Sequence, residues 1–267
     1  MISTTSQSKF RNILLKTFKI IAVTAFWILV WEAVSRFVAR DNETMYLLLP
    51  RPVTVFETWL DIAFTAEYLA AVGKTLLRVF WGFILGVALG FGFGVATYSV
   101  KIIDILLSPL LKMIRAVPVV AITILFFALF ESDALPTSVV VLMVTPLVWQ
   151  TVHDGLSAPN TELMEMAAVY RLSGFKVFSY IKLPSMLPSL VTATVNALGL
   201  AWKSGIAAEV ICEPRVGLGT ILIEGKGMID FSSVYAVTIT VVILSLIIEV
   251  LLKALSKKFV DLRRNDA

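Results

Sequence analysis

Six stretches of this chain are apolar over about the length needed to cross a bilayer, and few folds other than a helical membrane domain can absorb them. A spanning helix needs about 20 apolar residues, and lipid offers no partner for free backbone N–H and C=O groups, so such stretches must close their hydrogen bonds internally. The runs are 18–38, 79–98, 109–130, 134–152, 183–210 and 231–252. The second is uncharged, whereas the first holds Glu32 and Arg36, four apart on one helical face, where each neutralises the other. Lys112 and Arg115 fall in the first turns of the third, Lys203 interrupts the fifth, and Glu249 lies near the end of the sixth. Composition agrees: 58% of residues are hydrophobic and 16% charged, against roughly a quarter charged in soluble domains.

Six spans place both termini on one side. Lys and Arg accumulate in cytoplasmic segments. With the N-terminus inside, the inner segments and their flanks hold 15 basic residues, and the outer ones at most 7. The chain is therefore expected to be multi-pass in the cytoplasmic (inner) membrane with both termini cytoplasmic. Residues 1–17 form an N-terminal segment, 18–255 the membrane domain and 256–267 a tail. The charge of +4 and pI near 9.2 are accounted for by inner flanks facing anionic lipid and imply no nucleic acid. The first run follows positive charge as a signal peptide would, but no small-residue cleavage site follows it, and it is read as a retained span. One Cys and one His exclude a disulfide framework and a multi-residue Cys/His metal site. Cys212 reads as a packing residue, and His153 as a solvated or capping one.

Between the first two runs, Leu49-Pro-Arg-Pro52 precedes a segment at 53–72 with Phe56, Trp59, Leu60, Ala63 and Phe64 on one helical face and polar residues on the other. This predicts an amphipathic helix, lying flat at the outer interface or packed on the protein's own outer surface. In the second run Gly82, Gly86, Gly90 and Gly94 recur at four-residue spacing, a ridge that lets another backbone approach closely. Pro118, Pro136 and Pro146 predict kinks in the third and fourth runs.

The segment 165–184 is a polar island between membrane-length runs, long enough for two short helices, with Arg171, Lys176 and Lys182 set against Glu165. Glu165, Met166 and Ala167, then Arg171 after three residues, then Ile181, Leu183 and Pro184 resemble the EAA loop of ATP-binding-cassette importer permeases, whose pattern is Glu-Ala-Ala, three residues, Gly, nine residues, Ile-x-Leu-Pro. Met166 stands for Ala and Arg171 for Gly, with Gly174 a candidate to take over the turn. Ala207, Ala208 and Glu209, followed by Gly217 and Gly219, are similar to the segment after the fifth span in the nitrate, sulfonate and taurine branch, and the glycines suggest a tight outer turn. The resemblance covers about residues 49–259.

It implies an all-α permease of the type I importer kind with six transmembrane helices, an outer amphipathic helix and cytoplasmic coupling helices in the loop at 158–184. It further implies a second permease copy, two ATPase subunits carrying the ATP and Mg, and a separate solute-binding protein. Glu165, Met166, Ala167, Arg171, Gly174 and Lys176 are then the ATPase-coupling residues. Lys203, Glu209 and Arg115 are candidate pathway residues. Lys203 either lines the path or pairs structurally with Glu209 or Glu32, because an intramembrane cation is costly, and Trp202 beside it reads as an interfacial residue. The chain contains no Gly-x-x-x-x-Gly-Lys-Ser/Thr phosphate loop and no nucleophile–base grouping, so neither ATP binding by such a loop nor catalysis is expected of it, nor any bound cofactor or metal. A secondary transporter would need acids or broken helices at mid-membrane, whereas Glu32 and Glu249 lie near span ends. The scarcity of acids beside Lys203 and Arg115 leans toward a sulfonate, taurine or nitrate-like anion. The same branch also serves vitamin-precursor heterocycles.

Overall fold

The computed structural model describes residues 3–40, 47–129 and 132–265, and among them every regular element is helical. Phe130, the end of the third apolar run, lies outside the described residues, as do the side chains of Lys9, Arg11, Lys16, Lys257, Lys258, Arg263 and Arg264. Among the described residues, five helices are long and apolar enough to cross a membrane, and a bent pair brings the number to six if it is counted as one span.

The chain forms two compact units, one of residues 1–65 with 224–238, the other of 66–223 with 239–267. In the first unit, α1 (Ser3–Ala39) and α2 (Pro52–Ala63) are the main elements. α1 continues through position 17, so the expected N-terminal segment is not a separate element. The connection is stitched to α1: Ser35 Oγ donates to the Leu49 carbonyl at 2.8 Å and the Trp31 indole to that of Pro50 at 3.1 Å. Glu32 does meet Arg36, at 2.7 Å, and it also accepts from Arg51 at 2.5 Å. α2 opens on Pro52, whose fixed φ and missing N–H suit a first helical position. It is shorter than the expected 53–72 helix: the backbone breaks after Ala63, and residues 66–72 belong to the next helix.

The second unit holds the site. Its elements are α3 (Ala66–Ser99), α4 (Lys101–Ala116), α5 (Val119–Phe127), α6 (Leu135–Ser157), α7 (Thr161–Val169), α8 (Gly174–Val177), a π-turn (Phe178–Lys182) and α9 (Leu183–Cys212). α10 (Leu218–Gly227) and α11 (Phe231–Asn265) follow, each contributing residues to both units. α11 runs unbroken through position 255, so the expected tail is likewise a continuation of helix.

α3 and α6 pack as a ridge into a groove. A Cβ added at Gly82, Gly86, Gly90 or Gly94 would sit 2.7, 2.7, 2.7 and 2.5 Å from the Cβ atoms of Val140, Val144, Val148 and Val152. The paired numbers rise together, so the helices run parallel, and their intimate contact exists because one side carries no side chains. α9 runs back against them, with Gly205 beside Val79 and Val140 and Gly155 of α6 beside Met186. The resulting core also encloses Trp202, 2% exposed. Trp202 is thus a core residue and not an interfacial marker.

The third apolar run is not one helix. α4 and α5 meet at 106° across Val117 and Pro118. Proline excludes the preceding residue from helical geometry, and Val117 is extended, at φ −81° and ψ 132°. Pro136 and Pro146 bring no such break: the first sits in the opening turn of α6 and the second within a continuous helix.

Candidate functional site

The antiparallel course of α9 gives the second unit two ends. At one, Ser99, Ser157 and residues 161–182 gather; at the other lie the start of α3, Asp133 and the end of α9. Both ends carry candidate functional residues.

At the first end, Asn160 caps α7 by accepting the Glu162 backbone N–H at 2.9 Å, as a short polar side chain does at a helix N-terminus. Ala167 faces inward at 3% exposure, while Glu165 and Met166 are exposed. The helix closes by a Schellman arrangement: Leu172 N–H donates to the Ala167 carbonyl at 3.0 Å and Arg171 N–H to that of Ala168 at 3.1 Å. This motif requires a left-handed residue, ordinarily glycine, and here Arg171 supplies it at φ 49°. The turn stays at position 171. Gly174 does not take it over; it opens α8 without a positive φ.

The chain then returns through α8 and the π-turn, where Ile181 is buried. The Lys182 ammonium bonds the Tyr98 hydroxyl and lies 4.5 Å from its ring centroid, tying the segment to the end of α3. Outside this anchored base, Val169, Tyr170, Phe175 and Tyr180 are between 73% and 79% exposed, with Arg171 and Lys176 also exposed. Uncovered aromatic and aliphatic groups bordered by charge suit contact with a membrane surface or with another protein.

At the far end, Glu209 is 1% exposed, and each of its carboxylate oxygens is bonded. Arg78 Nη1 donates to Oε1 at 2.9 Å. Thr75 Oγ1 at 2.8 Å and Gly219 N–H at 3.1 Å donate to Oε2. Thr75 Oγ1 accepts from Leu218 N–H at 2.9 Å, and Arg78 donates to the Val216 carbonyl at 2.6 Å and to Asp133 at 2.9 Å. A carboxylate can be buried where its charge is paired and its lone pairs are satisfied, and both conditions are met. The glycines of Gly217-Leu-Gly219 make room for it: a Cβ at 217 would lie 2.8 Å from Oε2, and one at 219 would collide with Glu209 Cβ. They do not form a tight turn, since no described glycine has positive φ; Glu213, at φ 46°, turns the chain and Gly219 lies within α10.

The three candidate pathway residues are not brought together. Glu209 is enclosed in the network, Lys203 is exposed on α9, and Arg115 borders a cavity of about 390 Å³ with Pro118, Met143, Pro146 and Leu200. Neither Lys203 nor Glu209 borders that cavity. Of the two expected partners, Glu209 does not pair with Lys203 but is held by Arg78, and Glu32 belongs to the first unit, where it meets Arg36 and Arg51. His153 is more than a solvated residue: its Nε2 lies 3.5 Å from Asp104 and its ring is 5.9 Å from that of Trp149. Sequence reasoning missed Thr75 and Arg78 as partners of Glu209, and Asp133 as the second acid on Arg78.

Residues 79–261 match the family described as the binding-protein-dependent transport system inner membrane component. Among curated relatives, a putative aliphatic sulfonates transport permease protein, SsuC, of Bacillus subtilis is 25% identical over 82% of this chain and 79% of its own length. A probable ABC transporter permease protein of Brucella melitensis is 26% identical over 79% and 86%. The bicarbonate transport system permease protein CmpB of a Synechocystis strain is 30% identical over 60% and 56%. Among solved structures, an inward-facing MetNI methionine ABC transporter superposes with a TM-score of 0.61 at 18% identity, covering 71% of this chain and 94% of that one. An amino acid ABC transporter crystallised with histidines gives 0.64 at 16% identity, covering 74% and 96%. At these identities the superpositions establish the fold, that of the type I importer permeases.

Proposed function

The chain belongs to the binding-protein-dependent transport system inner membrane components, and from that premise we propose that it is the membrane-spanning subunit of an ATP-driven importer that passes a small anion from a solute-binding protein to the cytoplasm. The observation that carries this reading is the segment 161–182, anchored by Ala167, Ile181 and Lys182 and presenting exposed Val169, Tyr170 and Phe175. A rigid base under an uncovered apolar face is suited to transmit force from a docked subunit. In this reading Glu165, Met166, Arg171, Gly174 and Lys176 border or form the docked face, and Ala167 seats it.

Two ATPase subunits bind ATP and Mg and engage two permease copies, one beneath each. Their closure draws the two docked segments together and biases the spans between inward-open and outward-open states. The free energy available is the difference in ATPase binding between those states. The termini and the 161–182 segment face the cytoplasm, where the basic excess lies. The anionic solute is favoured by the small number of acids in the spans that carry Lys203 and Arg115 and by relatives described as permeases for aliphatic sulfonates and bicarbonate.

The test is association. Glu165→Lys reverses an exposed charge on α7, and Arg171→Glu reverses one at the turn and introduces repulsion against an acidic groove. Both variants are expected to insert at the parent level, since insertion depends on the apolar spans, and to lose co-purification of the ATPase or to uncouple hydrolysis from uptake. Arg215→Gln, at the far end, is the control for ATPase association alone. Parental association and uptake in both loop variants would remove the coupling role.

A further inference from the structure

The far end of the second unit holds a cavity of about 470 Å³ whose lining includes Lys74, Arg78, Trp81, Asp133, Thr137 and Arg215. Lys74, Arg78 and Trp81 fall on one face of α3, at helical spacings of four and three. Three cations and one carboxylate line the space. Glu209, behind Arg78, is the second acid of the cluster, so one positive charge remains in excess. The arrangement is asymmetric in a useful way. Arg78 is fixed by Glu209, Asp133 and the Val216 carbonyl, which uses three of the five N–H donors of a guanidinium. Lys74 and Arg215 are exposed and, among the described residues, have no ion-pair partner.

We propose that this cavity binds the head of a small organic anion, with Lys74 and Arg215 as the charges that hold it and the fixed Arg78 as a donor beneath. The proposal rests on the importer reading for its purpose, a site where the solute pauses before crossing, and on the cavity alone for its chemistry. A volume of this size falls in the range of small-molecule sites, roughly 300–1,000 Å³, and exceeds what a bare inorganic oxyanion needs. Trp81 and Leu77 supply an apolar wall. The matching ligand therefore has a compact oxyanion at one end and a short apolar body, as a short-chain alkanesulfonate does. A phospholipid head presents the same oxyanion chemistry, and the open cavity must be tested against both sources.

The experiment titrates ethanesulfonate into the full-length chain in nanodiscs at low ionic strength, with dimethyl sulfone as an uncharged probe of similar size. Saturable binding of ethanesulfonate alone is expected, weakening as salt is added. Lys74→Gln and Arg215→Gln should each lower affinity about tenfold, and the double variant should abolish binding. Both residues are exposed and, among the described residues, without an ion-pair partner, so the variants should fold, and retained ATPase association confirms it. Arg171→Glu, at the opposite end, should bind ethanesulfonate as the parent does. Parental affinity in the Lys74 and Arg215 variants, or equal binding of the sulfone, overturns the proposal. Discs of phosphatidylcholine and of phosphatidylglycerol should give the same affinity; loss of binding in the anionic lipid alone identifies a lipid head as the occupant and also overturns it. Failure to bind ethanesulfonate in a chain that still holds its ATPase removes the cavity site and leaves the importer reading standing. Failure to hold any ATPase, with ethanesulfonate bound, does the reverse.

Discussion

Position 171 carries an arginine in a backbone conformation that glycine adopts at lower cost, and this separates two roles that one substitution usually confounds. The left-handed region costs an L-residue about 1–2 kcal/mol, and Arg171 sits there at φ 49° because the Schellman closure of α7 demands it. Arg171→Gly should therefore stabilise the turn by about 1 kcal/mol or less, the gain being offset in part by the greater freedom of glycine in the unfolded chain. It should also keep ATPase association, because the docked geometry is preserved. Arg171→Val should weaken both, since a β-branched side chain is least tolerated there. Thermal denaturation and co-purification of these two variants decide the matter; a less stable Arg171→Gly would mean that the guanidinium itself supports the segment. At the far end, Glu209→Ala removes the central acceptor from Arg78, Thr75 and Gly219. Breaking a buried pair costs about 3–5 kcal/mol, and the lower end is expected because Asp133 still holds Arg78. A melting temperature unchanged from the parent would refute the network as a clamp. Of these positions, the sequence pattern left the turn open between Arg171 and Gly174, and the left-handed backbone at 171 decides between them. The pattern misread Gly217 and Gly219, because a glycine that makes room for a buried carboxylate and a glycine that turns the chain look alike until the neighbour is known.

The close contact of α3 with α6 belongs to the scale of elements. In lipid, helices gain no hydrophobic driving force from one another and associate through close packing, so the fit of Gly82, Gly86, Gly90 and Gly94 against four valines carries the interface. Gly86→Leu or Gly90→Leu should reduce the amount of folded protein in the membrane, since the first added carbon already falls 2.7 Å from Val144 or Val148. Gly92→Leu is the matched control, as open space surrounds that position. A smaller swap tests the pairing: Gly86→Ala should be partly rescued by Val144→Ala, with a coupling of about 0.5–3 kcal/mol typical of residues in contact. Independent effects of the two changes would mean that the helices shift as a whole. The glycine ridge was legible because its spacing is strict. The matching valines share that spacing, yet valine in an apolar run is unremarkable and nothing in the sequence singles it out. The third span divides the two signals: hydropathy shows one continuous run, whereas the kink expected at Pro118 is present, larger than a bend within one helix, as a 106° break across Val117 and Pro118.

For the whole molecule, the predicted direction of the chain through the membrane rests on two independent observations. α3 and α6 run parallel and α9 antiparallel, so residues 161–182 and residues 212–217 lie at opposite ends of the second unit, whatever its orientation. Which end faces the cytoplasm is then a question of charge, and the segments joined to the first end hold most of the basic residues. An apolar chain inserted with that excess inward should expose Ser173 to the cytoplasm and Ala134 to the outside. Both positions are exposed, and neither takes part in the ion-pair network or in the bonds that anchor Lys182. With Cys212, the single cysteine, changed to Ser, Ala134→Cys should react with a membrane-impermeant maleimide in intact cells. Ser173→Cys should react only after the membrane is opened. The reverse pattern would invert the molecule, and the ATPase would then have no access to the surface at 161–182. Labelling of both positions from outside would mean that the two ends of the unit are not separated by the bilayer, and the parallel course of α3 and α6 could not then represent two crossings in the same direction.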